Sequence, residues 1–570
     1  MGRRNDDSKE KAKPVEEKGD RAQQTEGTQY ELNAQEFGPL ESKKHLYIQR
    51  HPPGKELPPV EEDLPSLFVY ISTYISYLVL IIIGHIRDFF GRLLNDPAAM
   101  DLKEVDGYAP LFSDFDSFYT RRLKHRLTDC FNRPTTGVPG RFITVKDRYS
   151  LDYNDTFIYP GTSRQCLNLS SYNYLGFAQS KGQCTDAAEK SIKENGIHSG
   201  GPRAVSGTLD MHRETEDIMA DFVGKEACTI YSMGYATNAN VFASLVDKHC
   251  LVISDELNHA SIRFGVRVSK AVIKIFKHND MEDLEKLLRE QISQGQPRTH
   301  RPWKKIMIVV EGLYSMEGTM CNLPRLIELK KRYKFHLFVD EAHSIGAMGP
   351  HGRGVCDYFS IDPKHVDVLM GTFTKSFGAT GGYIAADQDT IDHLRVRNMG
   401  DVYAESMSPP VLAQIQSSLK TIRGDVRPGE GEERLRRLAF NSRYLRLGLR
   451  RMGFIVSGIE DSPIIPLMLY QPAKMPASSR AMLARNIAVV VVGYPATPLA
   501  SSRMRLCVSA ALTKSDMDTL LRVFAEEEEW LEMRISQEKG KFSGKRLRWP
   551  VEDVIASLED DVHKDWSQLD

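Results

Sequence analysis

The feature of this chain that most constrains its fold is a lysine placed directly after a short apolar run. Val366 and residues 368–370 lie immediately before residues 371–378, which read Gly-Thr-Phe-Thr-Lys-Ser-Phe-Gly. Such a run is consistent with a buried strand. The carboxyl end of a strand in an α/β sheet faces the crevice where ligands bind, and desolvation there lowers the pKa of an amine. We therefore interpret Lys375 as a candidate nucleophile that forms a Schiff base, with a solvated surface lysine as the alternative.

A second apolar run ends in a carboxylate. Residues 335–339 read Phe-His-Leu-Phe-Val, and Asp340 follows them, with His343 three residues later. An aspartate at the same sheet edge can keep a pyridine ring nitrogen protonated and so make the ring an electron sink. A helix N-cap is the alternative for Asp340. His343 is either a donor to the phenolic oxygen of such a ring or a packed histidine.

Two further segments carry candidate binding residues. His259 follows the apolar run 250–253 and is placed to stack on a planar ring, although a structural histidine is the alternative. Gly234 and Tyr235 precede an apolar stretch that we expect to be helical, and the free N–H groups at a helix start form a phosphate site. The hydroxyl of Thr372 is a further donor for a phosphate.

Together these segments resemble, in chain order, the pyridoxal 5′-phosphate (PLP) enzymes of fold type I, and most specifically the α-oxoamine synthases. The resemblance spans residues 165 to 530 and implies a large domain with a mostly parallel sheet and a smaller C-terminal α+β domain. It implies that Lys375 binds PLP covalently and that other residues of this chain also bind the cofactor: Gly234, Tyr235, His259, Ser315, Asp340, His343 and Thr372. Lys375, His259 and Asp340 are the implied catalytic residues. Segments 170–176, with Asn173 and Tyr174, and 198–203 are expected on the substrate side.

Sequences outside this core narrow the resemblance further. Segments 106–112, 115–121, 132–134 and 494–498 are similar to those of the lysine-bearing catalytic subunits of eukaryotic serine palmitoyltransferases. The resemblance implies that L-serine and palmitoyl-CoA condense to 3-oxosphinganine, CoA and carbon dioxide. It also implies a paralogous subunit without the lysine, small activating and regulatory membrane subunits, and an endoplasmic reticulum membrane location with the catalytic domain facing the cytosol.

Two other functions remain open from the sequence. Another α-oxoamine synthase, using glycine or alanine, shares every catalytic residue. A non-catalytic membrane scaffold is the second alternative, and the presence of Lys375 weighs against it.

One position departs from the wider family. Bacterial homodimeric members carry an arginine that binds the amino-acid carboxylate, and the matching position here is Gly493. Glycine cannot supply a guanidinium fork, so the carboxylate needs another donor. Arg505, Arg503 and groups from a partner subunit are the candidates.

Composition excludes some classes of function. The net charge of −1 gives no basic excess for binding nucleic acid. The eight cysteines are scattered without a Cys-x-x-Cys pair, so we expect reduced thiols and no zinc site.

The expected organisation has six parts. Residues 1–62 are charged and proline-bearing and predict a solvated arm. An apolar membrane-associated helix (63–100), an N-terminal segment (101–165), a large PLP-binding domain (166–400), a small domain (401–535) and a charged tail (536–570) follow.

The segment 64–86 carries no formal charge and is long enough to span a bilayer. Ser72, Thr73 and Ser76 fall on one face, which also suits a helix lying in the membrane plane. A buried helix of a soluble protein is the third possibility. Basic residues on both sides leave its orientation open.

Overall fold

The computed structural model of the protein describes residues 33–58, 63–94, 104, 106–110, 113, 117–540 and 544–569. The described residues belong to one unit, Leu32–Asp570. The strands are β1 Thr135–Thr136, β2 Phe142–Lys146, β3 Ser163–Asn168, β4 Ala227–Tyr231, β5 Leu251–Asp255, β6 Val272–Phe276, β7 Ile306–Glu311, β8 His336–Asp340, β9 Val368–Thr372, β10 Gly382–Ala386, β11 Ile464–Tyr470, β12 Ile487–Ala488, β13 Val490–Val492 and β14 Ser502–Cys507.

The α-helices are Leu67–Leu93, Gln183–Asn195, Asp210–Val223, Gly234–Leu245, Ala260–Val268, Met281–Gln294, Leu323–Tyr333, Val355–Tyr358, Gln388–Arg397, Met399–Val402, Pro409–Arg423, Glu430–Arg451, Lys474–Ala484, Lys514–Leu531 and Val551–Asp561. Short 3₁₀ segments are Lys43–His45, Lys124–Cys130, Pro363–His365 and Trp566–Gln568, and Tyr119–Leu123 is a π-helical turn.

A seven-stranded sheet positions the candidate site. Its order is β4-β10-β9-β8-β7-β5-β6, and β10 alone among its strands runs antiparallel to both neighbours. Strands β7, β8 and β9 are adjacent and parallel, and Glu311 at the end of β7 pairs in register with Asp340 at the end of β8. The carboxyl ends that the sequence predicted to meet therefore do so.

A smaller α+β part combines the C-terminal strands with β1, β2 and β3, which precede the large sheet in the chain. Strands β11, β14 and β13 make an antiparallel sheet, and β1, β2, β3 and β12 make a four-stranded sheet in which β12 pairs parallel to β3. The large parallel sheet and the smaller α+β part confirm the expected fold class. The domain boundaries themselves stay a prediction.

The helix Glu430–Arg451 is more buried than its sequence suggests. The helix is rich in arginine, yet five of its arginines are almost fully buried. Arg446, for example, donates to the backbone carbonyls of Ser457 and Ile464. The charged tail contributes the helix Val551–Asp561, which packs against it.

Residues 33–58 differ from the solvated arm expected there. Phe37 and Gln49 are 6% and 5% exposed. The Gln49 side chain donates to the carbonyls of Ala347 and Asp461 and accepts from the N–H of Gly349. We call residues 33–58 the strap. The buried Phe37 side chain and the Gln49 hydrogen bonds to the backbone hold this charged, proline-rich segment in place. The remaining residues of the expected arm, 1–32 and 59–62, lie outside the described residues.

The helix Leu67–Leu93 matches the uncharged segment. Its window of highest hydropathy is Leu67–Gly91, with a mean hydropathy of 2.1, and it is long and apolar enough to cross a membrane. One face contacts the folded chain: Ser72 accepts from the Gln471 amide, and Asp88 pairs with Arg121 and Arg122. The opposite face exposes large apolar side chains, among them Phe68 and Phe89. This exposure disfavours a buried soluble-core helix.

Candidate active site

Lys375 lies just beyond β9, at the carboxyl edge of the large sheet. Its amine is 5.6 Å from the centre of the Tyr172 ring. Burial lowers the pKa of the Lys375 amine to about 8, against the opposing effect of the Asp340 and Glu311 carboxylates. The lysine therefore has the environment of a nucleophilic amine, as its position after a strand predicted.

Asp340 ends β8 and is 3% exposed. Its Oδ2 accepts a hydrogen bond from Asn238 Nδ2 at 2.7 Å, and its Oδ1 accepts from the N–H of Ala342 at 2.9 Å. Asn238 lies on the helix Gly234–Leu245 and also donates to Ser261 Oγ. The carboxylate is thus held from two sides in a fixed orientation. Asp340 is not a helix N-cap, because no helix begins at this turn.

His259 caps the helix Ala260–Val268. Its Nδ1 accepts from the N–H of Ser261, and its backbone N–H donates to Glu311 Oε1. The ring itself is exposed, so one face is accessible from the crevice. Partial desolvation lowers the pKa of His259 against the opposing Asp340 charge, with the Lys375 charge adding to the shift, which favours the neutral ring.

The helix start at Gly234 has the shape of a phosphate cradle. A Cβ at Gly234 would lie 2.7 Å from Thr372 Oγ1, so only glycine lets the helix start approach β9 this closely. Thr372 is buried, with its Oγ1 donating to the carbonyl of Gly381. The first N–H groups of an α-helix have no intrahelical partner, so they are available to an anion here. Tyr235, next in the helix, is half exposed, with its ring 6.1 Å from that of His259.

His343 is packed among aromatic side chains. Its Nδ1 lies 2.8 Å from the hydroxyl of Tyr174, and the Tyr172 ring contacts it edge-on with centroids 5.0 Å apart. Burial and the nearby Lys375 and Arg505 charges hold the pKa of His343 well below its usual range. A neutral His343 therefore shares one hydrogen bond with Tyr174 at Nδ1, and its Nε2 is available to bond another group.

On the substrate side, the two candidate arginines differ in their hydrogen-bond and ion-pair partners. Both lie on β14, but Arg503 donates to the Met316 carbonyl at 2.8 Å and pairs with Glu317 at 3.4 Å. Among the described residues Arg505 has no carboxylate partner. Its guanidinium stacks 4.9 Å from the Tyr172 ring centre, and its Nε is buried without a hydrogen-bond partner. Arg505 is therefore the cation that retains hydrogen-bonding capacity for a substrate carboxylate.

The other expected substrate residues have structural partners. The Asn173 amide donates to the Pro139 carbonyl and accepts from the N–H of Ala178. The hydroxyl of Tyr174 points at His343, as described above. At Gly493, an added Cβ would lie 2.8 Å from the Met475 sulfur, so the position is closed to a larger side chain unless Met475 moves.

Ser315 was a predicted site residue, whereas three further residues near the site were not predicted individually. Ser315 lies partly exposed in the turn after β7. The sequence analysis missed Asn238, Glu311 and Tyr172 as individual site residues. Glu311 ends a strand that neighbours β8, and this is the same signal that identified Asp340. No sequence signal distinguishes Asn238, since an asparagine inside a helix has no local role.

The residues present fit PLP. A phosphate suits the glycine-lined helix start, and a pyridine nitrogen suits the rigidly held Asp340 carboxylate. A depressed amine pKa suits a lysine that bonds an aldehyde carbon. The neutral His259 ring suits stacking on a planar ring.

Comparison with known proteins agrees with this geometry. Residues 164–524 match the family described as aminotransferase class I and II. The chain is 60% identical to serine palmitoyltransferase 2 of Saccharomyces cerevisiae over 93% of this chain and 94% of that protein. It is 48% identical to serine palmitoyltransferase 3 of Homo sapiens over 84% of this chain and 87% of that protein.

A solved structure of SPT with a PLP internal aldimine is 27% identical, with a TM-score of 0.65, covering 74% of this chain and 99% of that chain. The fold is that of the PLP-dependent type I enzymes, and the cofactor is PLP. The chain belongs to the class I and II aminotransferase family and, within it, to the serine palmitoyltransferase 2 group.

Proposed function

We propose that this chain is the catalytic subunit of a serine palmitoyltransferase, which joins L-serine to palmitoyl-CoA and releases CoA and carbon dioxide. The observation that carries the proposal is the amine of Lys375, whose pKa is lowered to about 8 at the same sheet edge as Asp340. A non-catalytic scaffold has no need for a desolvated amine there. Relatives named for serine and palmitoyl transfer favour this reaction over transfer to glycine or alanine.

The residues divide the work as follows. When bound, PLP supplies an electron-withdrawing ring that stabilises negative charge on the α-carbon of serine. Asp340, fixed by Asn238, keeps the ring nitrogen protonated. Arg505 would pair with the serine carboxylate, His259 would stack on the face of the ring, and His343 would hydrogen-bond its phenolic oxygen.

Lys375 moves the protons. Its freed amine takes the α-proton of serine, and the α-carbon then bonds the thioester carbonyl carbon while the C–S bond to CoA breaks. The carboxylate departs as carbon dioxide, and Lys375 returns a proton to the same carbon. The thiolate of CoA takes up one proton from solvent, which balances the reaction.

Assembly with a related subunit follows from surfaces near the site. Helices Gly234–Leu245, Ala260–Val268 and Met399–Val402 pack together around the Tyr235 edge of the crevice. They and the residues next to them expose large apolar side chains: Met233, Tyr235, Phe264, Val268, Met399 and Tyr403. The relatives are numbered subunits of serine palmitoyltransferases, which supports a heteromeric complex. We propose a paralogous subunit without the lysine as the partner on this surface, with small activating and regulatory membrane subunits elsewhere.

We also propose attachment to the endoplasmic reticulum membrane, with the catalytic part facing the cytosol. The apolar outer face of the helix Leu67–Leu93 supports attachment. The eight cysteines, all buried and without disulfides, support a reducing compartment. Deleting residues 64–94 tests the attachment: the variant should leave carbonate-washed membranes when it is expressed without its partner.

The test of the reaction is spectroscopic. The purified heteromeric complex should change its visible spectrum on addition of L-serine, and palmitoyl-CoA should then give a long-chain 3-oxo amine. Glycine and L-alanine in place of serine separate this enzyme from other α-oxoamine synthases. A complex that turns over glycine or alanine but not serine contradicts the proposal.

A further inference from the structure

A second cavity, unrelated to the candidate active site, lies between the four-stranded sheet and the helix Lys474–Ala484. Its volume is about 450 Å³, within the range of small-ligand pockets. Its lining comes from β2, β3, the 3₁₀ segment Lys124–Cys130 and the helix Lys474–Ala484, and it shares no residue with the catalytic crevice.

The lining is strongly cationic. It contains five basic side chains and two carboxylates: Arg133, Lys146, Arg148, Arg164, Arg480, Asp129 and Asp147. Asp129 forms a two-pronged pair with Arg480, at 2.7 and 2.8 Å, and Asp147 pairs with Arg164 at 2.7 Å. These pairs neutralise two of the five cations. In the part of the chain that the structure describes, no carboxylate forms an ion pair with Arg133, Lys146 or Arg148.

Arg148 is held in a fixed position. One of its terminal nitrogens donates to the carbonyls of Thr128, Asp129 and Phe131, and the guanidinium lies 4.2 Å from the centre of the Phe157 ring. Its Nε is buried without a partner. Burial lowers the pKa of Arg133; Cys130 and the nearby Asp129 carboxylate oppose this shift, and the adjacent Arg148 charge adds to it. The cavity therefore holds more cations than carboxylates, and three of these cations lack an ion pair among the described residues, an arrangement that an anionic ligand stabilises.

The surface beside the cavity is apolar. The loop after β2 is tied by hydrogen bonds from the Ser150 and Thr156 hydroxyls and the Thr156 N–H to Asp152. It exposes Leu151 and Tyr153, which are 80% and 91% exposed, and Tyr149 lines the cavity itself. A phosphorylated lipid headgroup and a free phosphorylated metabolite both fit this combination of charge and size.

We propose that this cavity binds a phosphate-bearing anion through Arg133, Lys146 and Arg148. Such a ligand joins the segment before β1 to the end of β2 and the loop after it, so binding should also raise thermal stability. The site goes beyond the transferase reaction, because no catalytic residue lines it.

The test uses the purified heteromeric complex and two probes. The first is inorganic pyrophosphate, measured by calorimetry and by the shift in melting temperature. The second is flotation with vesicles of phosphatidylcholine alone or of phosphatidylcholine with phosphatidic acid. The measured quantity is the increase in the floated fraction of the complex when phosphatidic acid is present. Lys146→Glu is the variant, because Lys146 is exposed at the end of β2 and tolerates the change. Lys331→Glu, an exposed lysine on another face, is the matched control.

We expect Lys146→Glu to weaken the binding of at least one probe by about tenfold or more, the loss of one charge-assisted contact. Lys331→Glu and the turnover of both variants should stay unchanged. An effect on pyrophosphate identifies a soluble ligand, and an effect on the phosphatidic acid increment alone identifies a headgroup. If the wild-type complex binds neither probe, or if both variants behave alike, the proposal is wrong.

Discussion

The active site has two sides, which we call the cofactor wall and the substrate wall. They differ in how many hydrogen bonds hold their side chains in place. On the cofactor wall, Asp340, Asn238, Ser261, His259 and Glu311 form one continuous set of hydrogen bonds. On the substrate wall, the Arg505 guanidinium contacts the Tyr172 ring and the Met316 sulfur, and no carboxylate among the described residues pairs with it. The first wall is preorganised before any ligand arrives, whereas the second retains unused hydrogen-bonding capacity. The chain alone thus determines the electrostatics of PLP, and the substrate or a partner subunit completes the rest.

The largest effect should come from Lys375→Ala, which removes the group shared by both walls. We expect turnover to fall by at least about 10³-fold, because proton transfer and cofactor attachment are both lost. The absorbance of lysine-bound PLP should disappear while the melting temperature stays close to that of the wild type. Lys331→Ala is the control and should change neither. Retained product formation would contradict the assignment.

Asp340→Asn tests the cofactor wall. The amide keeps the shape but cannot stabilise a protonated ring nitrogen, so we expect kcat to fall about 10²-fold with the KM for serine little changed. Steady-state kinetics at saturating PLP measures both. A change confined to KM would mean that Asp340 acts on substrate binding.

The two arginines of β14 test the substrate wall. Arg505→Ala should raise the KM for L-serine between about tenfold and 100-fold, because a carboxylate loses a charge-assisted partner. Arg503→Ala should instead lower the melting temperature, since Glu317 is left without its ion pair. Equal effects of both variants on KM would falsify the distinction between them.

The smallest effect should come from Glu311→Gln. Burial and the adjacent Asp340 raise the pKa of Glu311 well above its usual range, which favours the neutral acid. Glutamine keeps the acceptor for the N–H of His259, and we expect turnover within about threefold of the wild type. Glu311→Ala, which removes that acceptor, should cost more. If Gln and Ala variants lose activity equally, a charged Glu311 is required.

Sequence patterns predicted the residues at the carboxyl ends of the strands better than the residues that hydrogen-bond to them. Apolar runs that end near Lys375, Asp340 and His259 predicted strands whose ends converge. This prediction needs only the local sequence, because short apolar runs indicate buried strands and the carboxyl ends of parallel strands lie at one edge of the sheet. The helix at Gly234 was also predicted correctly. Asn238 was not, because its role depends on a partner 102 residues away. The roles of Asn173 and Tyr174 were predicted from family resemblance, and in the structure their polar atoms contact the protein itself.

The strap was missed for a related reason. Composition predicts solvation for charged, proline-rich segments, but Phe37 lies 4.4 Å from the Arg434 guanidinium and 4.6 Å from that of Arg437. Those arginines belong to a helix about 400 residues later in the chain, and no local pattern contains that contact.

The strap also restricts how the protein can meet a bilayer. Residues 33–58 precede the apolar helix and residues 117–540 follow it, yet both pack into the same body, with Gln49 bonded to Ala347 and Asp461. A helix that crossed the membrane once would leave its two flanks on opposite sides. If this helix attaches to a membrane as proposed, we therefore expect it to enter and leave on one leaflet and to lie along the surface with its apolar face toward the lipid. Glycosylation acceptors inserted at residue 54 and at residue 107 should both remain unmodified in microsomes, and modification of one alone would reveal a crossing.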